Sequence, residues 1–176
     1  MRGETTKPTW VFGYGSLIWK QDFPFLEARP ATIVGWARRF WQGSHDHRGV
    51  ESDPGRVVTL VAEPGSQCAG RAFLVEPEVF GHLDHREKNG YERVEVEIQF
   101  DDGNAQGVVY HATQDNFAFL GPAQPGEMAA QINRCAGPSG SNRDYVLELA
   151  RVLRELGVVD PHVSEVESWV LAPAGD

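Results

Sequence analysis

From Glu92 to Phe100 the chain sets Val94, Val96, Ile98 and Phe100 against Glu95, Glu97 and Gln99. That period of two predicts a strand with one buried and one solvated face. Asp101-Asp102-Gly103-Asn104 then reads as a hairpin turn, with Gly107–Ala112 as the returning strand. Trp10–Phe12, Ala31–Trp36, Arg56–Ala62 and Ala69–Val75 are β-branched or aromatic and bounded by Gly and Pro, which predicts further short strands. A helical period takes over at Pro77–Asn89, where Val79, Phe80 and Leu83 form an apolar stripe. Pro77 suits a first turn and Gly90 a C-terminal cap. Glu127–Arg134 predicts a short helix. Ser141–Asp144 caps a longer one over Tyr145–Leu156, striped by Val146, Leu149, Ala150 and Leu153, and His162–Val170 predicts a last helix. Many strands with interspersed helices predict an α+β fold around a mixed sheet or small β-barrel flanked by helices.

At 176 residues the chain corresponds to about one domain. The expected division is a flexible N-terminus over 1–9, a single domain over 10–172 and a tail over 173–176. Sixteen Lys and Arg against twenty-five Asp and Glu leave a net charge of -9. That balance argues against a phosphate backbone or an anionic membrane as partner. An anionic small molecule would have to be met by a local cationic site. Cys68 and Cys135 form no disulfide framework and no zinc spacing. With a polar N-terminus and no apolar span, the expectation is a protein of the reducing cytoplasm, without nucleic-acid or membrane partners.

The segment Phe12-Gly13-Tyr14-Gly15-Ser16-Leu17-Ile18-Trp19 lacks the third glycine of a dinucleotide fingerprint, the Gly-Lys-Ser/Thr of a P-loop and the GxSxG elbow. It leaves two readings: an ordinary tight turn, or a nest of backbone N–H groups suited to a carboxylate or oxyanion. Glu87 continues the apolar stripe of Phe80 and Leu83. A carboxylate there is either a buried general base with a raised pKa or a partner in a salt bridge at the helix end. His82 and His85 are three apart, and His45 and His47 flank Asp46. A metal site is one reading and hydrogen-bonded surface histidines the other. Arg38-Arg39-Phe40-Trp41, His47-Arg48-Gly49 and Pro54-Gly55-Arg56 make a basic, aromatic stretch. It suits either a pocket for a small anion or an exposed loop. Tyr145, near a helix start, reaches a ligand or closes the edge of the core.

Together these segments resemble the ChaC-type γ-glutamylcyclotransferases. The resemblance is carried, in the family's order, by Trp10–Trp19, Arg38–Gly49, Pro54–Leu60, Arg86–Tyr91, Phe119–Pro122 and Gly137–Tyr145. It implies a small mixed β-barrel, a reaction without cofactor or metal, and glutathione or another γ-glutamyl compound as the small-molecule partner. It implies that Glu87 is the catalytic glutamate. It also makes Gly13, Tyr14, Gly15, Ser16, Leu17 and Ile18 the substrate-binding loop, with Tyr145 beside them. Asn89-Gly90 stands where the family often has Gly-Gly, at a cap that also accepts Asn. The implied products are 5-oxoproline and Cys-Gly. The substrate's α-amine attacks its own γ-carbonyl, so no Ser or Cys nucleophile is required. Other γ-glutamyl amino acids or amines as substrates, a non-catalytic regulatory protein of the same fold and a metal-dependent hydrolase remain as alternatives. The arginines from Arg38 to Arg56, with the Gly13–Ile18 amides, are the expected suppliers of positive charge, and Ser44–Asp53 a region that could set substrate breadth.

Overall fold

A computed structural model describes residues 7–86 and 91–173, the side chains of His85 and Arg86 excepted. Glu87, the Gly90 cap, most of the expected N-terminal segment and the end of the tail lie outside the described residues. Five strands close into a barrel: β1 (Thr9–Gly13), β2 (Glu27–Ser44), β3 (Gly55–Val75), β4 (Tyr91–Phe100) and β5 (Gly103–Ala112), in the order β1-β3-β2-β4-β5. Neighbours run antiparallel except β1 and β5, which pair in parallel through Trp10–Gly107 and Val11–Val108 and complete the ring. Four helices flank it: α1 (Val79–Arg86), α2 (Pro125–Arg134), α3 (Asn142–Glu155) and α4 (Pro161–Leu171). A two-stranded ribbon, β6 (Ala136–Gly137) and β7 (Gly140–Ser141), leads into α3. The family-implied small mixed barrel is what the chain forms.

The sequence pattern explains most of this and misjudges one join. β4 buries Val96 and Ile98 and exposes Glu95 and Glu97, as the alternation requires. Strand β1 does not alternate because both its faces are covered. Val11 sits in a core with Phe73, Val75 and the α1 residues Val79, Phe80 and Leu83, whereas Phe12 faces the barrel interior. It begins at Thr9, paired with Val75, so residue 9 belongs to the sheet rather than to a flexible terminus. The expected strands Arg56–Ala62 and Ala69–Val75 are two arms of the single strand β3. The register against β2 jumps from Val34–Gln67 to Trp36–Ala62, leaving Glu63–Ser66 as an exposed bulge. Gly35 and Gly65 take positive φ there, at 90° and 88°, so Pro64-Gly65 bends the strand without ending it.

Helix α3 starts where the sequence signals a cap, and α4 starts at a cap, Asp160, that the sequence pattern does not single out. The Ser141 side chain accepts from the Asp144 N–H, and the Asp160 side chain from the Val163 N–H. Helix α4 is tied to β2 through His162, whose Nε2 accepts the Phe40 N–H at 3.0 Å. Burial, reinforced by Arg39, pushes the His162 imidazole down to about 4, Asp160 opposing and Arg38 adding to the shift. Its folded value lies below its unfolded one, so the unfolded chain takes up the proton first as pH falls. The stability His162 contributes is therefore complete above about pH 6.5 and lost from there down to about pH 4. On this account, going from pH 7 to pH 5 removes on the order of 2 kcal/mol of unfolding free energy. Urea unfolding at both pH values checks it: His162→Gln should flatten the dependence, and an unchanged slope would reject the assignment.

Candidate active site

The end of β1 runs into a 3-10 turn, Ser16–Ile18, at the wall of a cavity of about 640 Å³. That size falls within the range of sites for small-molecule ligands. Tyr14 is pinned across the barrel by its hydroxyl, which donates to the Tyr110 carbonyl at 2.5 Å. Ile18, Trp19 and Lys20 spend their N–H groups on the carbonyls of Gly15 and Ser16. The donors such a turn can offer a ligand are those at its start, Gly15 to Leu17.

Tyr14, Gly15, Ser16, Leu17 and Tyr145 all line the cavity. Gly13 and Ile18 do not. Gly13 is held in the sheet opposite Arg71, and the Ile18 side chain is fully buried in the core. Tyr145, on the first turn of α3, reaches across to β3, where its Oη accepts the Val58 N–H at 3.2 Å. Its ring is bracketed edge-on by Trp19 and Phe40. Gly15 fits beneath it so closely that a Cβ would lie 3.1 Å from the Tyr145 Oη. Glu87 lies outside the described residues. Leu83, four residues before it, is fully buried, and Tyr91, four residues after it, lines the cavity.

The structure sorts the arginines in a way their sequence clustering does not. Arg38 is 1% exposed and points away from the cavity, bonded to the Cys68 Sγ and the Ala69 carbonyl and 3.4 Å from Asp160. Arg56 is buried too, donating to the Gln131 side chain and to the carbonyls of Phe40 and Gly121. Burial lowers its pKa, yet a guanidinium stays charged there. Arg39 pairs with Glu63 at 3.6 Å. Arg48 is the one arginine of the stretch that lines the cavity, with its guanidinium 5.7 Å from the centre of the Tyr145 ring and Nη1 bonded to the Ser141 carbonyl. Lys20 adds a second cation to the lining. Arg48 and Lys20 thus bring positive charge to a lining that also holds Asp22, Asp46 and Glu51, so an anion would be met by individual cations and not by a positive cavity.

Beside the cavity, the Tyr110 hydroxyl donates to Asp84 at 2.6 Å, and burial together with that carboxylate pushes its pKa up. His82 pairs with Asp22 at 3.4 Å and His47 bonds the Ser139 hydroxyl at 3.0 Å. Among the described residues no three His, Cys, Asp or Glu side chains cluster so as to hold a metal ion. Cys68 and Cys135 are buried and unpaired, and no described helix is long and apolar enough to cross a membrane.

A family model described as ChaC-like protein matches residues 9–172. The chain is 45% identical to γ-glutamylcyclotransferase 2-3 of Arabidopsis thaliana, over 92% of this chain and 87% of that one. It is 42% identical to glutathione-specific γ-glutamylcyclotransferase 1 of Danio rerio, over 93% and 89% of the two chains. Its fold superposes on the crystal structure of a yeast γ-glutamylcyclotransferase specific to glutathione with a TM-score of 0.86. That match has 30% sequence identity and covers 93% of this chain and 96% of the yeast one.

Proposed function

The chain belongs to the ChaC-like protein family, and from that premise we propose that it is a γ-glutamylcyclotransferase that degrades glutathione to 5-oxoproline and Cys-Gly. The observation that carries the reading is the meeting of the Tyr14–Leu17 turn, Tyr145 and Arg48 around one cavity, within a chain so similar to enzymes of that name.

In the reaction the substrate's α-amino nitrogen attacks its γ-carbonyl carbon. A five-membered lactam closes as the bond to the cysteinyl nitrogen breaks. Glu87 accepts the proton lost by the attacking amine and returns it to the departing cysteinyl nitrogen. The amine's lone pair makes the new C–N bond and the pair of the old one leaves with the cysteinyl nitrogen, so the step is redox-neutral, and the nucleophile arrives with the substrate. What remains for the protein is to fold the γ-glutamyl chain so that amine and carbonyl approach. Such intramolecular reactions reach high effective molarities. The N–H groups of Gly15, Ser16 and Leu17 meet the substrate's carboxylate or the developing oxyanion, and Arg48 and Lys20 offset the charge of a net anion. The role of Glu87 rests on its motif, Arg86–Tyr91, and on its sequence spacing of four residues from the buried Leu83 and from the cavity-lining Tyr91. Two unpaired thiols suit a reducing compartment, and we place the reaction in the cytoplasm.

Incubation of the purified protein with glutathione, and separately with γ-glutamylalanine, tests this by following 5-oxoproline. Release from glutathione well above that from γ-glutamylalanine is expected. Preference for γ-glutamylalanine would move the reading to other γ-glutamyl amino acids, and no release from any γ-glutamyl donor would make the chain a non-catalytic member of the family.

A further inference from the structure

Phe117 is 80% exposed, yet it lines the same cavity as the buried Tyr14 and Tyr145. An aromatic side chain left open to water on a wandering loop would need no explanation. This one stands on a fixed platform. The side-chain amides of Gln42 and Asn116 pair through two hydrogen bonds of 3.0 Å, joining the loop to strand β2, and Gln42 is 2% exposed. The Asn116 Oδ1 also accepts the Ala118 N–H at 2.8 Å, and the Ala118 carbonyl accepts the Gly43 N–H at 2.8 Å. That approach is so close that a Cβ at Gly43 would lie 2.7 Å from the Ala118 oxygen. His45, two residues further along β2 and its extension, covers part of the Phe117 ring with centroids 5.8 Å apart, and the rest of the ring is open.

We propose that Phe117, backed by His45, is the specificity-determining platform for the cysteinyl side chain of the leaving group. The inference rests on the cyclotransferase reading above. The γ-glutamyl end of the substrate carries the reacting atoms and belongs at the buried Tyr14–Tyr145 end, where water is displaced and the turn supplies N–H donors. What reaches the exposed rim is then the portion beyond the scissile bond. In glutathione its first side chain is a thiol, a soft group that an aromatic face attracts more than it attracts a methyl group. A contact away from the reacting centre discriminates among donors that share the γ-glutamyl group. A rigid presentation makes that contact without first ordering the loop.

Steady-state kinetics of the full chain with glutathione and with γ-glutamylalanylglycine, which differs only in lacking the sulfur, test the platform. Phe117→Ala should raise KM for glutathione about tenfold, with kcat within about twofold and the alanyl peptide's KM nearly unmoved. Phe117→Leu should keep only part of the preference. An unmoved KM for glutathione, or an equal rise for both peptides, overturns the platform while leaving the reaction standing. The same holds if Phe117→Ala changes the oligomeric state and not KM. A wild-type chain that turns over neither peptide overturns the reading beneath it as well. Thermal unfolding midpoints of both variants should match the wild type, since the ring is mostly exposed.

Discussion

Glu87→Gln should yield a folded chain that releases almost no 5-oxoproline from glutathione. Glutamine keeps the length and hydrogen-bonding reach of glutamate but can neither accept the amine's proton nor return it to the cysteinyl nitrogen. Proton transfer by a positioned side chain contributes about 10²–10⁴-fold, and kcat should fall by that order. The turn at Gly15–Leu17 and the cations Arg48 and Lys20 are untouched, so glutathione should still bind and KM should change little. Measured 5-oxoproline release, with thermal unfolding as the control, decides it. A kcat within several-fold of wild type would remove Glu87 from the chemistry.

Arg38→Ala should be costly in a different currency, that of stability. The Arg38 side chain is fully buried and serves the Cys68 Sγ, the Ala69 carbonyl and Asp160, which also caps α4. Removing it leaves a void, an unpaired carbonyl and a half-buried carboxylate without its cation. Breaking a buried pair from one side costs about 3–5 kcal/mol. The urea midpoint should drop at unchanged slope, while KM of the protein that remains folded stays near wild type. Arg48→Ala should behave in the opposite sense, raising KM with stability nearly intact. A stable Arg38→Ala protein with a raised KM would reverse this division.

That division was hidden in the sequence for a reason of register. Strand β2 buries Ala31 and Ile33 at odd positions before the bulge, and after it the large buried side chains, Arg38, Phe40 and Gln42, stand at even ones, with the small Ala37 and Gly43 buried between them. The extra residues at Glu63–Ser66 on β3 sit where the parity inverts, and nothing local in Ala31–Trp36 announces the inversion. Simple alternation carried through Gly35 points Arg38 outwards. Elements whose partners are close in sequence were legible: the β4–β5 hairpin, the capped helix α3 and the turn after β1. The bend of β3 was not, because Pro64-Gly65 reads the same whether a strand stops or kinks. Of the cavity lining, Tyr14–Leu17 and Tyr145 are singled out by motif and family resemblance, whereas Gly13 and Ile18 of the same loop lie elsewhere. Phe117 is singled out by neither, since it lies in a turn-rich segment without period and its platform depends on Gln42, which is 74 residues away from Asn116.

The parallel pairing of β1 with β5 has a consequence for how the protein comes to exist. Trp10 meets Gly107, and Tyr14 meets the Tyr110 carbonyl, only after nearly a hundred intervening residues have been arranged. Ring closures between such distant stretches are slow steps in folding. The cavity lining draws Phe12 from the first strand of the barrel and Tyr110 from the fifth. A nascent chain, or one cut within the β4–β5 hairpin, can therefore hold most of its strands and still lack a cavity. The cavity thus depends on a contact between the two ends of the barrel's stretch of chain as much as on any residue that lines it.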